Sequence, residues 1–337
     1  MKRILNKTII LAIGLMLVGG AAFGQVAFSD LEGSFSTFSD DIAEALPQAS
    51  TTGLTWSDAR VRGFPHFGVG LSFGAVMMPK DAFEDLAAGL NVDLPSGMVS
   101  DLGVPFPAYA IDGRVGIPFL PIDIGAKLGV LTPGMSESLG GDTAADYMLA
   151  GFDVRYPILK GRLLMPAVSV SAGYNYLSGG ITTSFSGAGL DGGIDLSSIQ
   201  GLSGVSVNYT DPDLRFDWKT HSMDFKVQAS KNLLIFTPYV GGAYTYGWST
   251  AGGGVSSDLT YSGKTEDEVK DALDAAGYGD IELSDSEFTI LSDVTGGSVR
   301  AFGGFSVNLL VLKLDLNGQY NFSTQSLGGG INARIQL

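Results

Sequence analysis

The chain has 337 residues, 45% of them hydrophobic, with 48 Gly, no Cys, and 35 acidic against 20 basic residues for a net charge of −15. The lack of thiols excludes disulfides, thiolate metal sites and a lipoprotein leader, and the acidic balance excludes nucleic acid and anionic lipid as electrostatic partners. Mean hydropathy is positive, yet after the leader there is no apolar run of the length a transmembrane helix needs. An exported chain of this kind is expected to form a β-barrel.

The leader comes first. Lys2, Arg3 and Lys7 precede the apolar stretch Ile9 to Val18, and Ala22-Phe23-Gly24 supplies small residues for cleavage before Gln25. Residues 1–24 therefore read as a secretory signal peptide, with an uncleaved anchor as the alternative that the short apolar run disfavours. In residues 25–59, Phe35, Phe38, Ile42 and Leu46 recur at helical spacing and Pro47 is expected to stop the helix. A periplasmic helix resting on the barrel mouth is the expectation, because a lumen of about ten strands barely admits a helix. A plug inside the lumen is the alternative.

From residue 60 to 337 the chain alternates. Phe67, Val69, Leu71, Phe73, Ala75 and Met77 share the first greasy face. The second and third runs turn Tyr109, Ile111, Ile124 and Leu128 outward and Asp112, Arg114, Asp123 and Lys127 inward. The fourth and fifth place Phe152, Val154, Val168, Val170, Tyr174 and Tyr176 outward, with Asp153 and Arg155 inward. Later runs set Asp224, Lys226, Arg300, Lys313, Asp315 and Arg334 against Phe225, Val227, Val240, Val299, Leu314 and Ile335. Ten runs of period two are expected as ten antiparallel strands. Twelve remain open, because residues 178–213 can hide another hairpin.

Connections near 119, 160, 232 and 311 are short, whereas 78–107, 132–145, 178–213 and 249–297 read as long loops, the periplasmic-turn and extracellular-loop pattern. Tyr174, Tyr176, Phe216, Trp218, Tyr244, Tyr246 and Trp248 are expected in one aromatic girdle, with Tyr156, Phe236 and Phe67 in the other. Two loops carry amphipathic helices: Phe83 and Leu86 mark one, and Val269 and Leu273 mark the other, which opens on the capping box Thr265 and Glu268. Their apolar faces read as a lid over the extracellular mouth, or as a surface for a hydrophobic ligand or partner.

The final residues "LGGGINARIQL" alternate to the end, and a terminal strand of that kind with an apolar last residue resembles bacterial outer-membrane β-barrel proteins. Leu337 departs from the commoner terminal Phe. The chain also resembles, more distantly, outer-membrane transporters of hydrophobic compounds and fatty acids. The resemblance implies an all-β, monomeric, antiparallel barrel in the outer membrane of a diderm bacterium, inserted by the barrel-assembly machinery and surrounded by lipid.

The twelve inward charges are near balance, which suggests a lumen closed by paired side chains rather than a wide porin. His66 and His221 have no acidic neighbour in sequence, so structural or interfacial roles are expected and catalysis is not. No cofactor or metal is expected. The function these features suggest is binding or passage of small hydrophobic molecules; a surface adhesin or structural barrel is the alternative.

Overall fold

The computed structural model describes residues 28–89, 100–137, 143–162, 165–184, 192–197, 199–276, 281–284 and 287–337; the leader, residues 1–24, lies outside them. In chain order the strands are β1 (Phe67–Met78), β2 (Val104–Gly116), β3 (Asp123–Leu131), β4 (Thr143–Lys160), β5 (Ala167–Ser184), β6 (Gly192–Asp195), β7 (Ser206–Ser230), β8 (Phe236–Ser262), β9 (Ile281–Ser284), β10 (Glu287–Leu309), β11 (Leu312–Asn321) and β12 (Leu327–Gln336). Ten of them pair with both neighbours in antiparallel register and close into a barrel, β12 returning to β1 with Val69 opposite Ile335 and Phe73 opposite Ile331. The two four-residue strands are additions, β6 on β7 and β9 on β10. The wall therefore has ten strands, not twelve.

Period two explains the closure. In β3 the odd residues Asp123 and Lys127 are buried, while Ile124, Leu128 and Val130 are exposed. The same alternation leaves a continuous exposed belt that includes Phe67, Val69, Ile111, Phe152, Phe225, Val240, Leu314 and Ile335. Apolar exposure on that scale has lipid as its solvent. Among the described residues no helix is long and apolar enough to cross a membrane. At the seam, the Leu337 N–H donates to the Phe67 carbonyl at 2.9 Å, and buried His66 bonds the Leu337 carbonyl and the Gln336 side chain.

Three expectations are corrected here. Residues 178–213 and 249–297 are not mainly loop: β7 and β8 stay paired up to Ser206 opposite Ser262, and β8 and β10 up to Ser256 opposite Glu287. In these extensions a backbone ladder rich in Gly, Ser and Thr forms without the apolar alternation that marks a lipid-facing strand. Phe216 and Trp218 do not belong to the girdle. They share the inward parity of Asp224 and are buried, whereas Tyr174 and Tyr176 do face out, beside His221, with the Tyr174 hydroxyl 2.5 Å from His221 Nδ1. Third, Pro47 does not end its helix.

The helices are α1 (Phe28–Ser50), α2 (Lys80–Gly89), α3 (Pro133–Glu137) and α4 (Glu266–Ala276). The capping box forms as read, the Thr265 N–H donating to Glu268 Oε2 at 3.0 Å. Val269 and Leu273 of α4 are buried in a cluster with Leu196, Ile199, Leu202 and Val205 beyond the paired ends Ser206 and Ser262 of β7 and β8, and Ala272 abuts Gly201 there. Phe83 and Leu86 of α2 are buried elsewhere, against α1: the Phe38 and Phe83 rings meet edge to face at 5.2 Å. The two candidate lid helices thus cover different things.

Candidate functional site

Helix α1 lies inside the barrel rather than at its mouth. It fits because the inward residues of β8 that face it are small: Thr245, Gly247, Ser249, Ala251 and Gly253. The Pro47 ring occupies the space a Cβ on Gly247 would need, and the Phe35 ring does the same at Gly253. Phe35, Phe38, Ile42 and Leu46, the candidate plug residues, are all buried. Phe35 and Phe38 pack on Phe216, and Phe106 of β2 meets Trp218 at 5.2 Å. The upper lumen is thus an apolar chamber filled by one face of α1.

Below the helix, residues 50–59 run through the lumen as an irregular strap that turns at Gly53 and Leu54, both with positive φ, and the twelve inward charges surround it. Lys127 donates to the carbonyls of Ser50 and Thr52 at 2.6 and 2.7 Å, Arg114 to that of Leu54 at 3.1 Å, and Arg155 to that of Asp58 at 2.8 Å. Asp112 accepts the Trp56 indole N–H at 2.8 Å, and Asp315 accepts from both the backbone N–H and the hydroxyl of Ser57. Around these contacts the charges neutralise one another. Arg114 bridges Asp123 and Asp153, Arg155 also holds Asp123, Arg300 holds Asp224, and Lys226 lies 3.6 Å from both Asp153 and Asp224. Arg334 pairs with Asp315 and lies over the Trp56 ring, and Lys313 is 3.9 Å from Asp58.

All twelve candidate lumen residues therefore meet in one collar around the strap, holding its backbone and the side chains of Trp56, Ser57 and Asp58. Buried ion pairs bring little net stability, but leaving one member unpaired is costly, so the collar fixes where the strap lies. The expectation of a lumen closed by side chains alone is corrected: chain fills it. Residues 48–58, with Trp56 at their centre, are the site residues the sequence reading missed.

Beside the apolar chamber the backbone ladder of the wall is interrupted, a split in its hydrogen bonding and not a gap. β2 and β3 pair only from Ile111 opposite Leu128 down to Gly116 opposite Asp123. Two residues further up, Tyr109 stands where Val130 would be its partner, and the ladder bonds are replaced. The Tyr147 hydroxyl, reaching from β4, takes the Tyr109 N–H at 3.1 Å and donates to the Tyr109 carbonyl at 3.0 Å. The Tyr109 hydroxyl donates to the Val130 carbonyl at 2.6 Å. Tyr109 points outward and Tyr147 inward, yet their rings stack at 5.1 Å, with the two phenols meeting at the seam. Gly129 lets the phenol pass: a Cβ there would collide with the Tyr109 carbonyl oxygen.

The cause is legible in β2. N–H groups two residues apart point to the same side of a strand, so Pro105 and Pro107 share the side of Tyr109 and have no N–H to offer β3. On the lipid face the split opens into an apolar groove of about 400 Å³ lined by Leu71, Phe73, Tyr109, Ile111, Leu128, Gly129 and Val130. On its lumen side stand buried Phe106, Ala108, Ala110, Tyr147, Leu149 and Leu177. A hydrophobic molecule would meet apolar surface on both sides, with two phenols between. Catalysis has less to build on. His221 lies among outward aromatics and His66 is tied to the terminal strand.

Residues 144–334, more than half of the chain, match DUF6588, a family of unknown function. The chain belongs to this family. In this DUF6588 member the match begins in β4, so it takes in Tyr147 and most of the wall but not α1, β2 or β3. Among curated proteins, none matches the sequence. Solved structures that resemble it include the outer-membrane protease OmpT from Escherichia coli, at 11% identity, 81% of this chain and 95% of that one, and a TM-score of 0.37. The Ralstonia pickettii toluene transporter TbuX is 12% identical over 94% and 98% of the two chains, with a TM-score of 0.24. The translocator domain of the autotransporter NalP from Neisseria meningitidis is 11% identical over 92% and 100%, with a TM-score of 0.31. Likeness this distant carries no argument about residues or activity in the DUF6588 chain.

Proposed function

We propose that this DUF6588 protein resides as a monomer in the outer membrane of a diderm bacterium, after loss of residues 1–24, and binds or passes small hydrophobic molecules through the split between β2 and β3. The observation that carries the proposal is the replacement of ladder hydrogen bonds by the Tyr147 and Tyr109 phenols, with an apolar groove outside and, within, the apolar chamber that α1 fills. A side-chain bridge can swing aside by rotamer change, whereas a strand ladder cannot part without unpairing several residues. The collar and strap below close the direct route to the periplasm, which favours movement sideways between chamber and bilayer. Among the described residues, the buried indole N–H of Trp218 and hydroxyl of Ser39 have no hydrogen-bond partner. They suit a solute with an apolar body and one acceptor group. Catalysis forms no part of this reading, nor does a cofactor.

The test is photolabelling with a diazirine-bearing fatty acid in outer-membrane vesicles, with and without excess unlabelled fatty acid. Labelling of peptides 104–116 and 123–131 that competitor removes, over a lipid-facing background that it leaves, supports the proposal. Labelling that competitor reduces nowhere would reject it and favour a structural or adhesive barrel, for which the tall β7–β8–β10 wall is the supporting observation.

A further inference from the structure

Contacts of the N-terminal segment descend the wall in chain order. Phe35 lies at Gly253, Asp40 accepts from the Ser292 hydroxyl, Pro47 lies at Gly247, and Gln48 accepts from the Ser326 hydroxyl at 2.7 Å. Further along, Trp56 lies against Gly68, Ser57 reaches Asp315, and the Ala59 N–H donates to Ser230, the last residue of β7, at 2.8 Å. Gly68 and Ser230 are at the short-turn end of the barrel, while Gly253 is far up β8 toward the long-loop end. The spacing agrees with a helix standing nearly upright. From Phe35 to Pro47 a helix covers about 18 Å, and from Gly253 to Gly247 a strand tilted by about 40° descends about 16 Å.

We infer that the chain crosses the membrane once more inside its own barrel, entering from the extracellular side, so that the N-terminal end of α1 is displayed at the cell surface. Short turns mark the periplasmic end, and α1 begins at the opposite one. Gly33 and Thr37, on the exposed side of α1, face open space at that mouth. Segments that lead into a barrel from the periplasm need no such passage; here the strap must lie inside the sheet before β12 pairs with β1. The inference rests on the reading of the chain as an outer-membrane barrel, not on the split.

The absence of Cys makes the test direct. Single variants Gly33→Cys, Thr37→Cys and Arg62→Cys are treated on intact cells with a membrane-impermeant maleimide, with Asp267→Cys in α4 and Lys160→Cys at a short turn as references. Gly33→Cys and Thr37→Cys should label together with Asp267→Cys, and Arg62→Cys and Lys160→Cys should label only after the outer membrane is permeabilised. Protection of both Gly33→Cys and Thr37→Cys while Asp267→Cys labels would overturn the threading. Protection of Asp267→Cys itself would overturn the barrel's orientation, a separate failure that removes the inference with it.

Discussion

Tyr147→Phe isolates the bridge across the split. The substitution keeps the ring, its 5.1 Å stacking on Tyr109 and the apolar packing of the chamber, and removes only the hydroxyl that serves the Tyr109 N–H and carbonyl. Each buried backbone group left without a partner costs about 1–3 kcal/mol, and Tyr109 is only part-buried, so the loss for the pair is about 2–4 kcal/mol. That cost falls on β2 above Ile111, since the ladder from Ile111 to Gly116 is untouched. Amide hydrogen exchange of peptide 104–116 in detergent micelles reads it. At about 1.4 kcal/mol per tenfold, exchange at Tyr109 should quicken by about 30-fold to 1,000-fold while peptides from β7 and β8 keep their rates. Unchanged exchange in 104–116 would show that the phenol carries no ladder function, and the split would lose its bridge.

Other outcomes follow from the same geometry. Phe216→Ala and Trp218→Ala should each cost about 3–5 kcal/mol in urea unfolding, as buried aromatics do, while outward Tyr246→Ala should cost far less; equal losses would return Phe216 and Trp218 to the girdle. Lys127→Met strands the carbonyls of Ser50 and Thr52 and should make residues 28–58 sensitive to added protease in micelles, with the barrel itself resistant. Val170→Arg or Leu314→Arg, on the lipid face, should destabilise by about 2–4 kcal/mol near the bilayer midplane, whereas inward Ser171→Asn should be tolerated. In planar bilayers the full barrel should be silent, because strap and collar fill the lumen, and deletion of residues 28–60 should produce steady conductance; conductance of the intact protein at the same level would mean that the strap does not seal.

Strands and lumen were legible in the sequence because lipid imposes a strict rule: every membrane-spanning strand must alternate, and every inward charge must find a partner. Thus Asp112, Arg114 and ten other charges could be placed on the inner face before the register was known. The parity of Asp224 and Lys226 also fixes Trp218 and Phe216 as inward, but their aromatic character suggested a girdle and hid it. What the pattern cannot express is occupancy. Thr245, Gly247, Ser249, Ala251 and Gly253 read as a weak polar face, and only the volume of α1 beside them shows why they are small. Pro47 is tolerated within α1 since Gly247 makes room for its ring. The split had a signal in Pro105 and Pro107, two missing donors on one side of β2, which is silent until the neighbouring strand is known.

Passage through the split is tested most directly by closing it. Tyr109→Cys with Val130→Cys places two thiols two residues above the last β2–β3 ladder pair, in a chain with no other Cys. Uptake of a labelled fatty acid by cells making this variant is measured before oxidation, after oxidation with the disulfide verified by mass spectrometry, and after reduction. Uptake that falls on oxidation and returns on reduction is the predicted result. Uptake that stays the same with the disulfide formed would contradict the account.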